Sequence, residues 1–97
     1  MPRVDVRPEA ELDTVDAASW YEGEREGLGE ECLTELRATL VRIEEGPLRF
    51  PLVSGDFRRA ILHRFPFGVF FIVEGEVAIV LAVTHLHRQP GVWQSRG

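Results

Sequence analysis

The hydrophobic spacing of this chain changes period once, at Gly46-Pro47, and that change limits the folds open to it. Before it, apolar residues recur at helical intervals; after it they alternate or run together, as they do in strands. Leu33, Leu36, Leu40 and Ile43 stand at the spacing of a buried helical stripe with Cys32 beside it, so a helix is expected over 29–45. Gly46 is a natural C-terminal stop, and Pro47 prevents continuation. Upstream, Pro8 suits the first turn of another helix, over 9–24, with Glu9, Glu11 and Asp13 near the positive end of its dipole. Its core face should be Ala10, Thr14, Ala17 and Tyr21, flanked by Trp20; the small residues would let it approach a sheet closely. Leu12 and Val15 form a weaker stripe that faces either solvent or a partner. Gly23, Gly27 and Gly29 interrupt the pattern and read as the turn between the helices. That turn is not a phosphate-cradling loop, because it lacks a lysine and a preceding strand and is surrounded by acids.

The remaining segments read as strands. Val4 and Val6 alternate with charged neighbours over 3–7, up to Pro8. After a polar loop around Ser54-Gly55-Asp56, alternation over 57–65 predicts a strand bearing arginines on an edge or open face. Pro66 cannot donate to a ladder and marks the turn into a strand over 67–74. Glu74-Gly75-Glu76 is a second tight turn, leading into a strand over 77–84. From Val77 to Val83 every residue is apolar, so this strand needs cover on both faces, from the tail or from a partner. The expected class is therefore α+β, in the order βααβββ, with a helical hairpin packed on one face of a mostly antiparallel sheet.

With 97 residues, 44% of them hydrophobic and 28% charged, residues 1–97 should form one globular domain. Cys32 is the sole cysteine, which rules out an intrachain disulfide and a cysteine-based zinc site and suits a reducing compartment. No apolar segment follows Met1-Pro2, and the longest apolar run is far too short to span a bilayer; a cytoplasmic protein is expected, without membrane association. The net charge of −5 argues against strong direct binding of nucleic acid, but it is unevenly divided. Residues 1–48 carry five arginines against thirteen acids, and residues 49–97 six arginines against three. Separate surfaces for separate partners are one consequence; a solvated acidic helix layer with incidental arginines is the plainer one.

Little in the sequence suggests catalysis. His85-Leu86-His87 would put two imidazoles on one strand face, but a zinc site needs a further ligand, and only His63 and scattered acids are available. No metal and no cofactor is expected. Asp13, Asp16, Glu22, Glu24 and Glu26 read as a solvated helix face, and Cys32 as a small core residue. No nucleophilic triad has recognisable context. What remains is basic and aromatic: Arg58, Arg59, Arg64, Arg88 and Arg96, with Trp93 in the tail. Arginine and tryptophan are enriched at binding hot spots, and sheet-edge charge that deters aggregation is the ordinary alternative.

Three strings place these features in a known context. They are Trp20-Tyr21 before Gly27-Leu28-Gly29, the run from Phe57 to Phe67, and Val80-Leu81-Ala82-Val83-Thr84-His85 followed by Arg88-Gln89-Pro90 and Trp93. In this order they resemble the RelE/ParE toxins of bacterial type II toxin–antitoxin systems, in particular the ParE-like branch. The resemblance implies a toxin neutralised by a cognate antitoxin, with DNA gyrase as its target and no catalytic residues of its own. Arg58, Arg59, Arg64, His85, His87, Arg88, Trp93 and Arg96 are then candidates for target contact, and Leu12 and Val15 for antitoxin contact. The RelE-like members are ribosome-dependent mRNA endoribonucleases. Their arginine early in the middle of the last three strands falls here at Gly68; the chain has no lysine, and its one tyrosine, Tyr21, lies on a helix. His85, His87 and Arg88 keep nuclease activity as the alternative. A non-toxic binding module of the same fold is a further one.

Overall fold

The computed structural model describes residues 3–88 and 91–96. Met1-Pro2 and the Gln89-Pro90 part of the tail motif lie outside the described residues. The chain begins with β1 (Arg3–Val6), enters helix α1 (Pro8–Glu24) and returns through α2 (Leu28–Glu45). A single 3₁₀ turn, Pro47–Arg49, leads into β2 (Leu52–Ser54), β3 (Phe57–Ile61), β4 (Phe67–Glu74) and β5 (Val77–His85), and a second, Val92–Arg96, ends the fold.

The helical hairpin forms where the spacing predicts it. Pro8 occupies the first turn of α1, and Ala10, Ala17 and Tyr21 turn inward. On α2 the inward residues are Cys32, Leu36, Thr39 and Ile43, while Leu33 and Leu40 are half-buried along one flank. Gly27 turns the chain with a φ of 88°, a left-handed conformation that glycine adopts without penalty. Gly29 permits the helices to touch: a Cβ there would lie 2.6 Å from the Ala18 carbonyl oxygen. The Glu22 carboxylate accepts hydrogen bonds from the Gly27 and Gly29 amides at 2.9 and 3.0 Å. A carboxylate from α1 thus serves the positive end of α2.

The five strands order as β1-β5-β4-β3-β2, antiparallel except for β1, which pairs in parallel with the first half of β5. Both helices cover one face, closing a core around Val69, Phe71, Val80 and Ile43. Full burial of side chains of this size contributes about 1.5–3 kcal/mol each. The apolar strand β5 is covered twice, by α1 on one face and by the 3₁₀ tail on the other. The tail contributes to that second cover: Trp93 stacks on Phe70 at 4.4 Å and meets Phe57 edge-on at 5.0 Å.

Two expectations need correction. The strand expected over 57–65 stops at Ile61, because the Glu35 carboxylate on α2 takes the amides of His63 and Arg64 and a Leu62-to-Phe67 bond of 3.0 Å closes the bend. The segment read as a polar loop contains an additional short strand, β2, paired to β3 across a turn at Gly55. Three residues with two exposed side chains carry too little alternation to be recognised.

Candidate functional site

The end of β5 and the segment after it gather most of the basic and aromatic candidates. A bulge at the Phe70/Phe71 step of the β4–β5 ladder changes the facing of β5, so that Ala82 and Thr84 look away from the helices and Val83 and His85 toward them. β1 ends before the second half of β5, so that part of the edge has no strand partner. Asp13 of α1 takes its place: its carboxylate accepts the Val83 amide at 3.0 Å and the Arg96 guanidinium at 2.5 Å. Arg96 also donates to the Leu81 carbonyl at 3.2 Å, so this ion pair fastens helix, strand edge and tail together. Asp13 and Glu22 were both expected to be solvated; Asp13 has a side chain only 15% exposed, and Glu22 caps α2. Both are bound because helix carboxylates lie within reach of backbone amides that lack other acceptors.

On the helix side, the Arg88 guanidinium lies over the Trp20 ring, 4.3 Å from its centroid. Together they border a cleft of about 260 Å³ whose walls include Asp13, Asp16, Phe67 and Val83. The His85 ring packs edge-on to Phe67 at 5.3 Å and to His87 at 5.8 Å. Its Nδ1 accepts the amides of His87 and Arg88 at 3.1 and 3.0 Å. Burial, then the charge of Arg88, then His87, holds the His85 imidazole below its ordinary pKa, and this favours the neutral ring that can accept those bonds. Among the described residues no three His, Cys, Asp or Glu side chains converge as metal ligands.

On the opposite side of the sheet, Arg59 and Trp93 share a second cleft of about 410 Å³ with Phe70, Thr84, His85 and Gln94. His85 lines this second cleft and its ring meets Phe67, which lines the first. Thus Arg59, His85, His87, Arg88, Trp93 and Arg96 belong to one end of the molecule. Two of the sequence candidates lie elsewhere. Arg58 donates to the Phe50 carbonyl at 2.7 Å and pins the loop after α2. Arg64 pairs with Glu31 at 2.6 Å on the far hairpin, which raises the Arg64 pKa and lowers that of Glu31. Leu12 and Val15 lie on the outward face of α1, 64% and 59% exposed. Between α1, α2 and β1 runs a separate apolar groove of about 250 Å³, walled by Val6, Thr14, Leu33, Leu36 and Leu40.

Sequence reasoning did not join Trp20 to Arg88 or Asp13 to Arg96, since nothing local signals contacts across so much chain. Trp20 had a signal, an indole beside rather than within the core stripe, and it is 47% exposed. Among the described residues no helix is long and apolar enough to cross a membrane.

Neither a family model nor a curated protein matches this sequence. A solved structure does: a chain in "Chromosomal ParDE TA system from P. aeruginosa" superposes with a TM-score of 0.75 at 18% identity, over 88% of this chain and 96% of that one. A hairpin of two helices on one face of this mostly antiparallel sheet, matched over nearly all of both chains, is the RelE/ParE fold.

Proposed function

We propose that this chain is the toxin of a type II toxin–antitoxin pair, of the ParE type, acting on DNA gyrase and neutralised by a cognate antitoxin. The likeness to a chain of a ParDE system, over nearly the full length of both chains, carries the reading. It agrees with the resemblance read independently from Trp20-Tyr21, the 57–67 run and the His85–Trp93 segment. The site at the end of β5 suits protein contact more than phosphate chemistry. Its cations are single arginines set beside Trp20 and Trp93, the pairing enriched at interface hot spots. Where RelE-like nucleases carry an arginine, Gly68 has its Cβ position closed off, 3.0 Å from both Leu86 and Phe70 side-chain atoms. A cation there would have to displace both, leaving the charge that develops in phosphodiester cleavage with little to meet it.

In this reading Arg88 and Trp20 face the target, and the antitoxin covers the outward stripe of Leu12 and Val15 or the apolar groove beside it. The protein acts as an inhibitor by binding, with no residue in a catalytic role and no cofactor. The deciding experiment expresses the chain alone and with the protein of the adjacent reading frame. It then compares supercoiling by purified gyrase with mRNA integrity in a translation reaction. Growth arrest with lost supercoiling and intact mRNA is expected. Codon-dependent cuts with normal supercoiling would transfer His85, His87 and Arg88 to catalytic roles; no arrest at all would leave a binding module.

A further inference from the structure

Arg59 stands opposite Phe70 in the β3–β4 register, on the sheet face turned away from the helices. Its Nε is buried, and among the described residues no acceptor meets it. A buried charged donor without an acceptor is costly and calls for an explanation, of which a ligand that completes it is one. The surroundings form a site open to such a ligand. The guanidinium borders the 410 Å³ cleft, with the buried Thr84 and Phe70 at its base and Trp93 and Gln94 along the tail side. Trp93 lies flat on Phe70, their planes 7° apart, so that side of the cleft is apolar.

We propose that this cleft binds the carboxylate of an acidic side chain on a protein partner. Of the other cations at this end, Arg96 is paired with Asp13 and Arg88 lies over the Trp20 ring on the helix side. The Arg59 guanidinium, which no carboxylate meets among the described residues, matches one carboxylate, whose two oxygens fit its fork side by side. A phosphate dianion would remain half-neutralised, and a nucleic acid would meet a chain of net charge −5. The methylenes of a glutamate would lie against the Trp93 ring. Partner recognition here therefore needs an acid on the other protein, and Arg59 positions it.

The test uses the purified full chain with ¹⁵N-labelled arginine and tryptophan side chains. Probes are acetyl-Gly-Glu-Gly-amide, its Gln counterpart and inorganic phosphate. The Arg59 Nε–Hε resonance, assigned by its loss in Arg59→Gln, should move downfield and saturate with the Glu peptide, with the Trp93 indole resonance moving beside it. The Gln peptide should leave both in place. Arg59→Lys, followed through the Trp93 resonance, should bind the Glu peptide about tenfold more weakly, as loss of a bidentate charged pair predicts. Absence of any saturable movement would overturn the proposal, and so would an equal response to the Gln peptide or to phosphate. The probes include neither antitoxin nor target, so the outcome is separable from that of the toxin assays.

Discussion

Asp13 is half-buried on α1 and serves two acceptor roles at once, toward the Val83 amide and toward Arg96. Asp13→Ala would strand the Val83 amide and leave the Arg96 guanidinium, itself only 24% exposed, without its carboxylate and with the Leu81 carbonyl still accepting from it. The expected loss is about 2–3 kcal/mol of stability, seen as a lower urea midpoint, with Trp93 fluorescence shifting red as the tail loosens. Asp13→Asn keeps an oxygen for Val83 and should cost less. An unchanged midpoint in the Ala variant would show that the tail is held by Trp93 alone. His85 supplies a pH-dependent test. Its pKa in the folded chain lies below the unfolded value, through burial first and then Arg88 and His87. The unfolded chain therefore binds more protons below about pH 6.5, so stability is full above that pH and falls as pH drops toward the folded-state value. Protonation would also put a proton on the Nδ1 that accepts two amides. Urea midpoints measured on either side of about pH 6.5 should differ more in the native chain than in His85→Gln, whose acceptor does not titrate in that range.

At the scale of elements, the sequence was most legible where a single period runs long. Both helices and β4 begin and end within a residue or two of their expected bounds, and the need of Val77–Val83 for cover on both faces is met by α1 and the tail. It was least legible where distant side chains set the outcome. Glu35 ends β3 early through two amides, and a bulge reorients the end of β5; neither leaves a trace in local spacing. The site was readable as a composition of Arg, His and Trp. Its division was not, since whether Arg64 faces a target or Glu31 depends on an approach between elements. Glycines of the hairpin make this distinction measurable. Gly23 lies in the last turns of α1 with nothing within 4 Å of its Cβ position, so Gly23→Ala should stabilise by about 0.5–1 kcal/mol through helix propensity. Gly29→Ala would force a methyl group to 2.6 Å from the Ala18 carbonyl oxygen, and opening the hairpin should cost about 1–3 kcal/mol. Opposite signs in thermal melts are the expected result; equal effects would mean the helices are not in close contact there.

For the molecule as a whole, the division of charge becomes a division of surfaces, with an acidic helical layer on one side and arginines beside tryptophans at the end of β5. The two are separable by substitution. Arg88 lies over an exposed indole, a contact contributing about 0.5–1 kcal/mol, so Arg88→Ala should leave the fold intact while relieving growth arrest if that end meets the target. Trp93→Ala is a poorer probe, because the ring is stacked on Phe70 and its loss would weaken the sheet itself. On the helical side, Leu12 and Val15 lie opposite the core stripe with exposed Glu11 and Asp16 beside them. A partner segment suited to that stripe would be apolar with basic flanks. Leu12→Gln with Val15→Gln removes the apolar stripe and should change stability by no more than about 0.5 kcal/mol, since neither side chain is buried. The double variant should therefore fold and remain toxic, yet escape neutralisation when the antitoxin is co-expressed. Binding should weaken about tenfold or more if the stripe contains a hot spot. Unchanged neutralisation would move the contact into the groove of Val6, Leu33 and Leu40, where Leu40→Gln becomes the variant to measure.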